Sequence, residues 1–190
     1  NENIQENINI RSYNLHSKNI VDVIHRGSQL SGLLYRKGII DAGNQILPVD
    51  NLFPWICYQV IALKRGTILS VTGYHARITS DIPKLFSYRK DGLLPEISEA
   101  ILCGFFQDRK LGIYYASKVI RDTAYWRIFK TAKTGLGALK NYILSYNHRK
   151  TDSKVFFTAF PEVAIKCLYH HLVYSLPNLH NKLRVIKNKF

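Results

Sequence analysis

Val155-Phe156-Phe157-Thr158-Ala159-Phe160-Pro161-Glu162-Val163-Ala164-Ile165-Lys166-Cys167-Leu168-Tyr169-His170-His171-Leu172 is the stretch on which the fold turns. Its first six residues, 155–160, are rich in aromatic and β-branched side chains and predict a strand. Pro161 then stands where proline is well tolerated, in the first turn of a helix, and 162–172 predicts that helix. A strand leading straight into a helix points to a sheet-containing fold.

Working back from this stretch, 136–146 predicts a helix, and so does 111–130, although its Tyr, Val, Ile and Trp residues also permit a strand. Asp108-Arg109-Lys110 reads as a charged turn. The near-continuous apolar run within 96–106 predicts a third strand buried on both faces. Residues 57–63 and 67–77, joined by Lys64-Arg65-Gly66, predict a β-hairpin. Residues 43–48 and Pro54 punctuate a loop, and 79–95 reads as a polar connector. Ile20, Val23, Ile24, Leu30, Leu33 and Leu34 recur at helical spacing within 17–37, with Ser17 as the expected N-cap. Residues 173–190 read as a basic tail or a last strand. The expected organisation is a polar leader over 1–16 and one domain over 17–190, of the α/β (α+β) class with a mixed sheet.

Composition bounds the function. With 190 residues, the chain is long enough for one well-filled core. Hydrophobic residues at 46% and charged residues at 21% exclude an intrinsically disordered composition. The apolar runs are too short or too interrupted to span a bilayer, and the polar first ten residues do not form a secretory signal. The chain has no Met, so it is expected to be processed or trimmed at its start. Cys57, Cys103 and Cys167 are far apart and odd in number, which predicts reduced, buried thiols and a cytoplasmic setting. The 27 Lys and Arg outnumber 13 Asp and Glu, and the resulting +14 calls for an anionic partner. No H-x-x-x-H, G-x-S-x-G or G-K-[ST] pattern occurs, which removes the motif-based case for zinc hydrolases, serine hydrolases and P-loop NTPases.

The C-terminal strand–helix stretch, with Ala164, Leu168, Tyr169 and Leu172, resembles the end of the GNAT N-acyltransferase superfamily. Val173 and Tyr174 stand where that family carries Gly and Phe. Further upstream, Tyr35-Arg36-Lys37, Val49-Asp50, Tyr58-Gln59-Val60-Ile61-Ala62-Leu63, Gly73 with Arg77, and Pro95-Glu96-Ile97-Ser98-Glu99 resemble segments of the acyl-homoserine-lactone and N-acyl amino acid synthases. Pro95, Glu99 and Asn51 depart from the family pattern. The resemblance runs over about residues 20–175. It implies a mostly antiparallel central sheet, splayed to admit a pantetheine arm, with helices on both faces.

The same resemblance implies the chemistry. An N-acyltransferase moves an acyl group from coenzyme A or an acyl carrier protein to the amine of an amino acid or related small molecule. Glu96 would serve as the base, Tyr169 as the acid and Ser98 as an orienting group. Without the resemblance, Glu96 reads rather as a surface strand-end carboxylate, and Tyr169 as a core-facing ring. Two segments compete for the phosphate of the donor. Arg109, Lys110 and Gly112 follow the third expected strand, whereas Gly135 and Gly137 form a Gly-x-Gly before a helix. Arg36, Asp50 and Arg77 would meet the acceptor. The basic residues from Arg109 onward suit an acidic carrier protein, and nearly as well RNA. The rival functions are an acetyltransferase acting on RNA or protein, and a basic nucleic-acid-binding module without catalysis.

Overall fold

A computed structural model describes residues 9–26, 33–72, 92–132, 134–147 and 152–175. Helix makes up 72% of these residues. Seven helices and two strands appear among them: β1 (Asn9–Tyr13), α1 (Ile20–Arg26), α2 (Lys37–Ile46), α3 (Pro54–Arg65), β2 (Ile68–Thr72), α4 (Leu94–Gly104), α5 (Arg109–Ala132), α6 (Gly135–Ser145) and α7 (Ser153–Ser175). The two strands pair only with each other, antiparallel, with Asn9 opposite Thr72 and Tyr13 opposite Ile68.

The expected α/β class, and with it the GNAT resemblance, is corrected by this architecture. A GNAT fold needs a mixed, mostly antiparallel sheet as its core, and the described residues hold one two-stranded ribbon. Three of the expected strands are helical. Residues 57–63 lie in α3, which Pro54 opens at its first turn. Residues 96–104 lie in α4, and 155–160 lie in α7. The cause is shared. In α4 eight of eleven residues are buried and in α3 only Arg65 is exposed, so neither run carries a wide polar stripe and each mimics a strand buried on both sides. The helices expected over 111–130 and 136–146 are present as the central part of α5 and as α6. The loop expected over 43–48 is instead mostly the end of α2, and the second hairpin strand runs only over Ile68–Thr72 among the described residues.

The chain divides into two compact units, 1–87 with 99–115, and 88–98 with 116–190. In the first unit α3 is central and packs on α1, α2 and β2. Its Gln59 is buried, accepts from the Tyr35 hydroxyl at 2.6 Å and donates to the Val23 carbonyl at 3.1 Å, so one amide ties α3 to α1 and to residue 35. Close approach replaces side-chain filling at Gly104, where a Cβ would meet Val60 at 2.6 Å. Asn51 donates to Glu99 Oε2 at 2.6 Å and accepts from the Phe53 amide. Tyr115 stacks on Phe105 and donates to the Leu15 carbonyl.

The second unit is built on α6 and α7, with the part of α5 after residue 115. Tyr142 of α6 is almost fully buried, stacks on Phe156 at 4.8 Å and donates to that residue's carbonyl at 3.0 Å. Gly135 allows α6 to meet α7 backbone to backbone. A Cβ there would lie 2.2 Å from the Cys167 carbonyl oxygen and 2.7 Å from the His171 amide. On an adjacent sector α7 meets α5. Lys166 donates to the Arg121 carbonyl at 2.8 Å, Glu162 pairs with Arg121, and the Phe129 ring lies 4.0 Å from the imidazole of His170.

Candidate interaction surface

α7 is apolar on two opposite sides. Val155, Phe156, Ala159, Val163, Cys167 and Val173 are buried. At about 100° per residue these fall on one side of the helix. Phe157, Ile165, Leu168, Tyr169 and Leu172, with Pro161 between them, fall on the other, and the five large side chains are 43% to 66% exposed. The two sets do not overlap around the axis. The buried side is filled by α6 through Tyr142 and Gly135, and by α5 through Arg121 and Phe129. The remaining sector, roughly a third of the circumference and about 22 Å long, is a mainly aliphatic and aromatic stripe in solvent, interrupted by exposed Thr158. A helix that is hydrophobic all round is normally enclosed on all sides, and contiguous exposed apolar patches mark interaction sites.

Pro161 lies on this exposed side. It has no N–H to give to the Phe157 carbonyl, which costs least where water can reach that face. A proline well inside a helix is uncommon, so Pro161 predicts a helix start where α7 in fact continues through it. The recurrence of Val155, Ala159, Val163 and Cys167 at four-residue intervals, running straight through Pro161, was the signal for one continuous helix. The stripe residues themselves follow i, i+4, i+8, i+11, i+12 and i+15 from Phe157, a pattern visible only once the helix is extended back to residue 153.

Counted along the sequence, residues 116–190 carry fourteen Lys and Arg against Asp122, Asp152 and Glu162, and so hold +11 of the chain's +14; seven of the fourteen lie outside the described residues. Glu162 borders the stripe. Lys166 holds it at 2.7 Å and Arg121 at 3.6 Å, and the hydrogen bond from Lys166, with the two cations' charge, keeps its carboxyl below the usual carboxylate range. Lys154 is exposed one turn before Phe157, in line with the stripe.

The residues expected to form an acyl-transfer site are divided between the two units. Glu96 and Ser98 are buried in the first turns of α4, in the second unit, where they were expected on a strand beside an opening for substrate. Tyr169, in the same unit, lies on the exposed stripe of α7. Gly135 and Gly137 open α6. Thr134 caps that helix and its Oγ1 accepts the Gly137 amide at 3.0 Å, so that N–H is already engaged. Arg36, Asp50, Arg109, Lys110 and Gly112 belong to the first unit, and Arg77 lies outside the described residues. Arg109 and Lys110 are exposed at the start of α5, but the carboxylate of Asp108 accepts the Leu111 amide at 3.0 Å, putting a negative charge where a phosphate would sit. Gly112 is buried, and a Cβ there would lie 3.0 Å from Phe105 Cβ.

Acyl transfer of the GNAT type is therefore corrected, with its donors and partners. The sheet that would splay around a pantetheine arm is absent among the described residues, and with it the basis for coenzyme A, an acyl carrier protein and a small amine as ligands. The macromolecular acetyltransferase rested on the same sheet and falls with it. The nucleic-acid module is set aside at this surface because nucleic-acid interfaces are polar and cationic, whereas the α7 stripe is aliphatic and aromatic.

Cys57, Cys103 and Cys167 are free thiols, the first and last of them buried. Burial pushes Cys57 up to about 12, helped by the neighbouring Cys103, and Cys167 up to about 11. No described helix is long and apolar enough to cross a membrane, and no group of His, Cys, Asp and Glu among the described residues could hold a metal ion. Compared with protein-family models, curated proteins and solved structures, the chain matches none.

Proposed function

We propose that the protein is a docking module, which recruits a macromolecular partner through the outer side of α7. The observation that carries this reading is the two-sided apolarity of α7: one side fills the core of the second unit, and the other lies in solvent with five large apolar side chains. Leaving that many apolar side chains in water forgoes about 1.5–3 kcal/mol for each that a partner would fully bury. The three free thiols suit a reducing compartment, and we place the protein in the cytoplasm on that ground.

The surface is tested with a dye that fluoresces on exposed apolar patches, such as ANS. The native protein, still unfolding cooperatively, binds the dye, and Ile165→Ser combined with Leu168→Ser lowers the signal by roughly half without lowering stability. A native protein that does not bind the dye, or a double variant with unchanged signal, contradicts the reading.

A further inference from the structure

The occupant of the α7 stripe can be narrowed, on the reading that this stripe is the docking face. We propose that it takes a single amphipathic helix of another protein, with an apolar i, i+3, i+4, i+7 stripe bordered by carboxylates. Two features of the second unit point there. The first is shape. α7 already has helical neighbours on two sectors, α5 through Arg121 and Phe129, and α6 through Tyr142 and Gly135. The free sector is narrow and about 22 Å long, which is the footprint of four turns of helix. Anchors at Phe157, Ile165, Leu168 and Leu172 repeat at the spacing of a helix-in-groove contact.

The second feature is charge. A second copy of the chain would bring a second protein of net charge +14 against the first, and like charges suppress such pairing. The one carboxylate bordering the stripe, Glu162, is held by Lys166 and Arg121, so the border does not repel an acidic partner. Lys154 lies at the N-terminal end of the stripe, one turn before Phe157. A bound helix therefore places its carboxylates toward the Lys154 end and along the borders, with its apolar residues between the α7 anchors.

The test uses the full chain and two synthetic helices of about 18 residues, long enough to hold helical structure. Both carry the same Leu stripe, one with Glu on both borders and the other with Lys. The Glu peptide binds saturably, one per chain, at least tenfold more tightly than the Lys peptide, and more weakly as salt rises. Ile165→Asp and, separately, Leu172→Gln each weaken it tenfold or more, while Lys140→Gln on the exposed side of α6 leaves it within about twofold. Far-UV circular dichroism confirms that each variant keeps its helix. Equal binding of the two peptides, or binding that Ile165→Asp leaves intact, overturns the proposal. Dimerisation blocked by Ile165→Asp, or binding confined to vesicles containing phosphatidylserine and lost with the same variant, also overturns the helical occupant while leaving the docking face in place. Absence of binding to either peptide, to vesicles and to a second copy overturns both.

Discussion

Replacing Gly135 by Ala tests the helical packing at its tightest point. The added Cβ would lie 2.2 Å from the Cys167 carbonyl oxygen, 2.7 Å from the His171 amide nitrogen and 2.9 Å from the His171 Cβ. Two of these three neighbours are backbone atoms of α7, which cannot rotate aside. Relief requires α6 and α7 to separate until the Cys167 contact reaches at least 3.0 Å. That movement loosens the stacked pair Tyr142–Phe156 and stretches the 3.0 Å bond from the Tyr142 hydroxyl to the Phe156 carbonyl. Overpacking of this kind costs about 1–3 kcal/mol, and the backbone contacts put it at the upper end. Better helix propensity returns less than about 1 kcal/mol at a first-turn position. The net loss is about 2 kcal/mol, or a Tm lower by roughly 4–8 °C for a chain of this length. Gly38→Ala in α2 is the control, because no atom lies within 4 Å of its added Cβ. It leaves stability unchanged or raises it by up to about 1 kcal/mol. Both are read by thermal and urea unfolding followed at 222 nm. A Gly135→Ala variant as stable as Gly38→Ala refutes the close approach of α6 and α7.

Three further outcomes follow from the same contacts. Thr134→Ala removes the oxygen that accepts the Gly137 amide and costs about 1 kcal/mol in urea unfolding. Thiol titration with an aromatic disulfide near pH 8 finds Cys103 reacting first. Cys57 and Cys167, buried and held up to about 12 and about 11, react only on unfolding, and equal rates for all three contradict their burial. Glu162 is lowered in the folded chain by Lys166 and Arg121, so its contribution is present above the ordinary carboxylate range and lost as pH falls through its folded value. Because the pair is half-exposed, Glu162→Gln removes only about 0.5 kcal/mol at neutral pH, and nothing once the carboxyl is protonated. A variant whose loss is the same at neutral and acid pH contradicts the ion pair.

How much of this could be read in the sequence depended on whether a segment keeps a polar side. α6 was legible because Lys140 and Asn141 interrupt its apolar run. α3 and α4 were not, since apolar residues between the core positions, such as Ala62 in α3 and Leu102 in α4, hide the helical recurrence of Ile56, Cys57, Val60 and Ile61, and of Ile97, Ala100 and Ile101. In α7, Pro161 split one helix into an apparent strand and helix, although the four-residue recurrence of the core residues passed through it. The wrong element types then lent order to a resemblance whose motifs were each loose, and the acyl-transfer roles of Glu96, Ser98 and Tyr169 came with it. The cationic excess was legible throughout. The place of Lys154, Lys166 and Arg121 at the apolar stripe was not, because that needed α7 to be one helix.

The docking face is tested most directly by nuclear magnetic resonance, titrating the Glu-bordered peptide into the isotope-labelled chain and mapping the shifts. The largest changes fall on Phe157, Ile165, Leu168, Tyr169 and Leu172, with smaller ones at Lys154 and near Glu162. Shifts centred on other elements, or an unperturbed α7 under saturating peptide, contradict the account.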